Sequence, residues 1–209
     1  MAAAGRRQII LWCGALALPF FACAGQQYEE MSDSVRSSLR QRISQNIAPP
    51  ILVFPTEEEG QRWLDGMSER LAKILPSRSV LQDEEMRRDF LTAVHYEATR
   101  AGIDPQLMLA VMHVESAFRK YAISIAGARG LMQVMPFWTK EIGDNDARKL
   151  FQLRANLRYG AVILRHYLDI EKGDLTRALA RYNGSLGSAK YPNMVYEKLD
   201  KHWQWRPRG

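Results

Sequence analysis

Apolar residues fall at helical intervals along most of this chain. Met31, Val35, Leu39, Ile43 and Ile47 stand at every fourth position, with Arg, Ser and Gln between them. That narrow stripe predicts a helix over residues 28–47. It fits docking on the rest of the chain, on a partner or on a membrane face, and equally a poorly ordered arm. Ala48-Pro49-Pro50 stops it, and Pro55 follows. Thr56 with Glu57, Glu58 and Glu59 reads as a cap and an acidic first turn, opening a helix over 57–74 that ends before Pro76. Asp83 caps the next, which runs to Arg100 and stops at Gly102. Asp104-Pro105 is a third start, a capping side chain followed by a proline whose missing N–H is not needed there. Its helix continues to about Phe118. There is no internal repeat, no low-complexity segment and no alternating strand pattern, so the expected class is mainly α.

Composition changes this picture at the N-terminus. Arg6 and Arg7 precede an apolar run over residues 9–21, and Ala22-Cys23-Ala24 fits a small-x-small cleavage site. Residues 1–24 therefore read as a secretory signal peptide; the run is short for a membrane span. Both cysteines, Cys13 and Cys23, lie within it. Cleavage after Ala24 leaves no disulfide, no thiol nucleophile and no cysteine metal site. A lipoprotein reading, with Cys23 acylated, lacks the usual leucine at the first position of its box, Phe20-Phe21-Ala22. The expected location is exported and periplasmic, or envelope-associated if the segment is retained or Cys23 is lipidated.

At 46% hydrophobic residues the chain can build a sizeable core. Removing Arg6 and Arg7 leaves 27 basic against 23 acidic residues. So mild an excess suits a cell-wall polymer or membrane surface, or a plain solvated exterior. It is not the concentrated stripe of a nucleic-acid binder.

The helix that starts at Asp104 raises the chemical question. At about 100° per residue, Leu107, Ala110, Val111, Val114 and Phe118 share one side, widened by Met108 and Met112. Glu115 projects into that apolar arc and His113 points nearly opposite. Desolvation favours the protonated acid, and the negative end of the helix dipole works the same way. Both effects are expected to raise the pKa of Glu115 toward neutrality, as a general acid requires. Pairing with a buried arginine or with backbone N–H groups remains the structural alternative. Next, Gly127 and Gly130 permit tight turns, and Leu131-Met132-Gln133-Val134-Met135 is an apolar run with one amide. It fits a groove wall whose Gln133 bonds a ligand, or a core segment with a surface glutamine.

Glu115-Ser116-Ala117-Phe118, then residues 127–136, then Leu179-Ala180-Arg181-Tyr182-Asn183-Gly184 together resemble the catalytic motifs of soluble-type (SLT) lytic transglycosylases, in order and at matching spacing. The resemblance covers about residues 84–200, with 156–169 as the connecting helix. It implies a lysozyme-like catalytic domain over 81–209, of the goose-lysozyme kind, preceded by an N-terminal helical extension over 25–80. It implies that Glu115 is the acid/base, that Ser116, Ser124, Gln133, Met135, Tyr182 and Asn183 bind substrate, and that peptidoglycan glycan strands are the partner. The implied reaction cleaves the bond between N-acetylmuramic acid and N-acetylglucosamine without water, leaving 1,6-anhydro ends. Such a mechanism needs one carboxyl group where most glycosidases need two. Asp144 and Asp146 read as solvated loop charges, and no second carboxylate matches the claim of Glu115. Goose-type hydrolytic muramidase and a non-catalytic peptidoglycan-binding scaffold are the alternatives. Arg181 departs from the family's alanine, and 191–196 follows the family loosely, so the resemblance gives Tyr196 no role.

His113-Val114-Glu115 has the form of a zinc-deaminase motif but no Cys-x-x-Cys accompanies it. His95, His166 and His202 lack zinc-protease spacing. No metal, cofactor or nucleic acid is expected. A contact with an envelope protein or membrane surface through 25–80 is open. Trp203, Trp205, Arg206 and Arg208 form a tail that either touches sugars or membrane or packs back on the domain.

Overall fold

The predicted helix starts carry their capping bonds. Thr56 accepts the Glu59 N–H at 3.2 Å, Asp83 accepts that of Met86 at 2.9 Å, and Asp104 accepts that of Gln106 at 2.7 Å. A computed structural model of the chain describes residues 25–45 and 48–205. Its helices are α1 (Asp33–Ser44), α2 (Glu57–Ile74), α3 (Glu84–Ala101), α4 (Pro105–Ser116), α5 (Phe137–Ile142), α6 (Leu153–Ile170), α7 (Leu175–Asn183) and α8 (Lys190–Lys198). Short 3₁₀ turns occupy Val80–Gln82 and Ala147–Phe151, and a π turn occupies Leu199–Trp203. Among the described residues there is no strand; two isolated bridges link Arg129 to Ile123 and to Val134. The chain is mainly α, as the apolar periodicity predicts.

Three boundaries differ from expectation: α1 ends at Ser44, where Gln45 leaves the helix with ψ 134°, and the other two have reasons in the packing. Ser32 caps α1 through the Val35 N–H, and the residues before it are extended rather than helical. Those residues are bonded to distant parts of the fold. α4 ends at Ser116 because Ala117 and Phe118 take φ of 48° and 62°. The Phe118 ring is held among Phe90, His113 and Trp203, at 5.5–6.2 Å between centroids. That packing offsets the cost of two consecutive left-handed residues.

α6 forms the centre, with Leu157, Ile163 and Leu164 fully buried. α3 and α7 lie on α6, α8 lies on α4, and α1 lies across α5 and α6. The α1 stripe thus docks on the body of the protein: Leu39 is buried, Met31 and Ile43 pack on the core, and Val35 is exposed. Trp203 is buried, and Trp205 lies over Gly66 of α2. The tail tryptophans therefore pack back. Ile47, the proposed signal segment 1–24 with Cys13 and Cys23, and Arg206 and Arg208 lie outside the described residues. No helix among the described residues is long and apolar enough to cross a membrane.

Candidate active site

Glu115 sits in the last turn of α4, and its side chain is buried, with 8% of the residue exposed. Its Oε1 accepts a 2.6 Å hydrogen bond from the hydroxyl of Tyr191, itself buried on α8. Sequence reasoning missed Tyr191. The signal was there: Tyr191 and Val195 are one helical turn apart and both face the core. It was obscured because this stretch follows the family only loosely.

The run after Glu115 is fixed from three sides. Ser116 Oγ donates to the Leu131 carbonyl at 2.8 Å, and the Tyr182 hydroxyl donates to that of Met132 at 2.7 Å. Asn156 of α6 accepts from the Met132 N–H at 2.8 Å and donates to the carbonyls of Arg129 and Leu150. Gly130 makes that approach possible: a Cβ there would stand 2.4 Å from Asn156 Nδ2 and 2.5 Å from the Leu150 oxygen. Gln133 has φ 47°, and its side-chain amide donates to the carbonyls of Ala122 and Gly130. Ser124 accepts from the Ala128 N–H and closes the preceding turn. Ser116, Ser124, Gln133 and Tyr182 thus spend these polar atoms on shaping the wall. Met135 is half-buried at its end, and Asn183, the last residue of α7, is mostly buried.

Several other carboxylates near these elements carry close cationic partners. Asp144 pairs with Lys149. Asp146 pairs with Arg148 at 2.9 Å, and the hydrogen bond from Arg148 holds its pKa down to about 2. Glu171 pairs with Arg181 at 2.6 Å. His113, two residues before Glu115, is held down to about 4, first by burial and then by Lys198 and His202. It is a neutral packing group against Phe118 and Trp203 at pH 7.

Arg181 also explains a departure. It grips both carboxylate oxygens of Glu29, at 2.6 and 2.7 Å. The extended N-terminal residues therefore reach the motif on α7, and they reach the wall as well. Gln26 donates to the Gln133 carbonyl at 3.1 Å and accepts from the Met135 N–H at 2.8 Å.

The sequence pattern of the transglycosylase SLT domain matches residues 92–204, a span that holds Glu115, the wall, the α7 motif and Tyr191. The chain belongs to the SLT transglycosylase family. Membrane-bound lytic murein transglycosylase C of Actinobacillus pleuropneumoniae (serotype 5b, strain L20) is 53% identical over 53 residues, 25% of this chain and 14% of that protein. The protein of the same name from Haemophilus influenzae (strain PittEE) is 49% identical over 53 residues, 25% of this chain and 15% of its own length. The transglycosylase of Enterobacteria phage PRD1 is 36% identical over 105 residues, 47% of this chain and 38% of its own length. The chain therefore spans well under half of each of these relatives. The SLT match begins within α3, so α1, α2 and the extended residues 25–32 precede it.

Proposed function

We propose that this SLT-family chain is a peptidoglycan lytic transglycosylase that cleaves the β-1,4 bond between N-acetylmuramic acid and N-acetylglucosamine without water. The observation that carries the reading is a buried carboxyl, Glu115, in the last turn of α4, hydrogen-bonded to the hydroxyl of Tyr191. Burial favours the neutral acid. The Tyr191 bond fixes the carboxyl plane beside the wall of residues 130–135. Glu115 gives its proton to the glycosidic oxygen as the bond from C1 breaks. The C6 hydroxyl of the same muramic acid then attacks C1 and returns its proton to Glu115. A C1–O6 bond replaces the broken one, and the product carries a 1,6-anhydro end. The sugar's acetamido group steadies positive charge at C1, so no second carboxylate is required.

Met135, Asn183 and the outer edge of the Ser124 turn face the glycan in this reading, while Ser116, Gln133 and Tyr182 hold the wall that it lies on. The relatives' names describe membrane-bound murein enzymes. With residues 1–24 removed as a signal, this chain acts in the periplasm on the glycan strands; cleavage before Cys23 with acylation of that cysteine would anchor it to the membrane instead.

Incubating peptidoglycan with purified protein and weighing the released muropeptides tests the reaction. Anhydro ends, lighter than reducing ends by one water, are the expected product. Glu115→Gln should lower release by at least about a hundredfold with the fold intact. Reducing ends make the enzyme a hydrolytic muramidase instead. Wild-type release by the Glu115→Gln variant removes the acid/base assignment.

A further inference from the structure

The extended residues before α1 lie on the same elements that the proposed site uses. Gln26 is buried, with 4% of it exposed, although it belongs to a segment with no secondary structure. Its carboxamide forms a matched pair of bonds, accepting from the Met135 N–H and donating to the Gln133 carbonyl. Gln27 donates to the Gly184 carbonyl at 3.2 Å. Gly184 has φ +77°, and a Cβ there would fall 2.1 Å from the Gly25 oxygen. Gly25 in turn lies against the Met135 thioether, where a Cβ would meet the sulfur at 2.9 Å. Tyr28 meets the Phe137 ring edge-on at 5.8 Å, and Glu29 is held by Arg181. The segment thus bridges the wall after Glu115 and the end of the α7 motif.

A backbone N–H and a backbone C=O offered side by side must be satisfied by something. A single group that fits both at once is an amide, as Gln26 shows. N-acetylated sugars carry one, the acetamido group, with the same accepting oxygen and donating nitrogen. We propose that residues 25–29 are an inhibitory strap, with the Gln26 carboxamide standing in for a sugar acetamido group on Met135 and Gln133, so that the strap withdraws before a glycan binds. The inference rests on the transglycosylase reading for the location of the glycan. The Glu29–Arg181 pair and the docked α1 keep the strap at high local concentration. Arg181, where the family pattern has alanine, is the latch. A glycan then binds only the fraction of molecules with the strap released, and its apparent affinity drops by that fraction.

The test is the binding of chitotetraose, a β-1,4 tetramer of N-acetylglucosamine, to the full chain carrying Glu115→Gln, followed by calorimetry. Adding Gln26→Ala should tighten binding by about tenfold, as expected for loss of two hydrogen bonds from the closed state. Glu29→Gln, which loosens the latch and leaves the Gln26 pair in place, should tighten it by less. Cellotetraose, which has no acetamido groups, should show no comparable gain. Unchanged or weaker chitotetraose binding in both variants overturns the strap, as does no binding by any of them. An equal gain with cellotetraose overturns the acetamido mimicry. Cleavage of peptidoglycan by the wild-type chain is scored separately, so the strap fails alone if cleavage persists.

Discussion

His95 stacks on Phe54 at 4.6 Å between ring centroids and meets Trp63 edge-on at 5.0 Å. It is 4% exposed, and its Nδ1 has no hydrogen-bond partner among the described residues. Burial holds its pKa down to about 4, against a weaker upward pull from Asp104. The unfolded imidazole titrates near 6.5. Between these values the unfolded chain binds a proton that the folded chain refuses. Stability is therefore fully present above pH 6.5 and is lost as the pH falls toward 4, by roughly 3 kcal/mol from this residue. His95→Phe keeps an aromatic ring between Phe54 and Trp63 and removes the titration. Urea unfolding at pH 7 and pH 4.5 should show a smaller acid loss in the variant than in the wild type. Equal losses refute the assignment. His113 shifts in the same direction, so some acid loss remains. Glu115 was legible at this scale because a carboxylate inside an apolar arc breaks a periodic pattern. His95 was not, because a histidine among apolar residues breaks nothing; its stacking partners lie 32 and 41 residues away in sequence.

Glu97 on α3 shows how one buried charge holds an element. Its carboxylate meets Arg158 at 3.0 Å, Arg154 at 2.9 Å and Arg100 at 3.3 Å, with 2% of the residue exposed. Two of these arginines reach the end of α1, where Arg100 donates to the Arg42 carbonyl and Arg158 to that of Ile43, and Arg154 donates to the Ala48 carbonyl in the chain beyond it. Carbonyls at a helix C-terminus lack partners and carry negative charge, which suits guanidinium groups. Glu97→Gln leaves three cations without their anion and should destabilise the protein by about 3 kcal/mol. Hydrogen exchange should speed up first in α1, which loses its anchor. Uniform acceleration across α1 and α6 would count against the anchor role. The α1 stripe was legible, but its docking surface was not, because α5 and α6 follow about a hundred residues later. α2 and α3 were legible to within a residue because Thr56, Asp83 and Gly102 are local signals. α4 ran short because Phe118 obeys distant rings rather than its own turn. The strap left no periodic trace at all. Only Arg181, odd for the family, pointed toward it.

One hydrophobic cluster joins Leu39 of α1 and Trp63, Met67 and Leu71 of α2 to Phe90, Leu91, Met108, Met112, Tyr182 and Trp203. The far end of the chain returns to α2, where Arg70 donates to the His202 carbonyl and Trp205 covers Gly66. Residues 25–80 therefore supply core, although the SLT pattern starts at residue 92. A core shared in this way couples the two regions' stabilities, because neither keeps its apolar surface covered when the other opens. The intact chain should melt in one calorimetric transition. Trp63→Ala distinguishes coupled from separate folding. Trp63 is buried and donates to Gln106 of α4 at 3.3 Å. Its truncation should cost about 3–5 kcal/mol. In a coupled protein the single transition moves down by about 10 °C. In a protein whose extension folded independently, a small early transition would separate and the main one would stay in place. A main transition that stays put would thus place Trp63 outside the unit that holds Glu115, and the packing of α2 against α3 would contribute nothing to positioning that carboxyl.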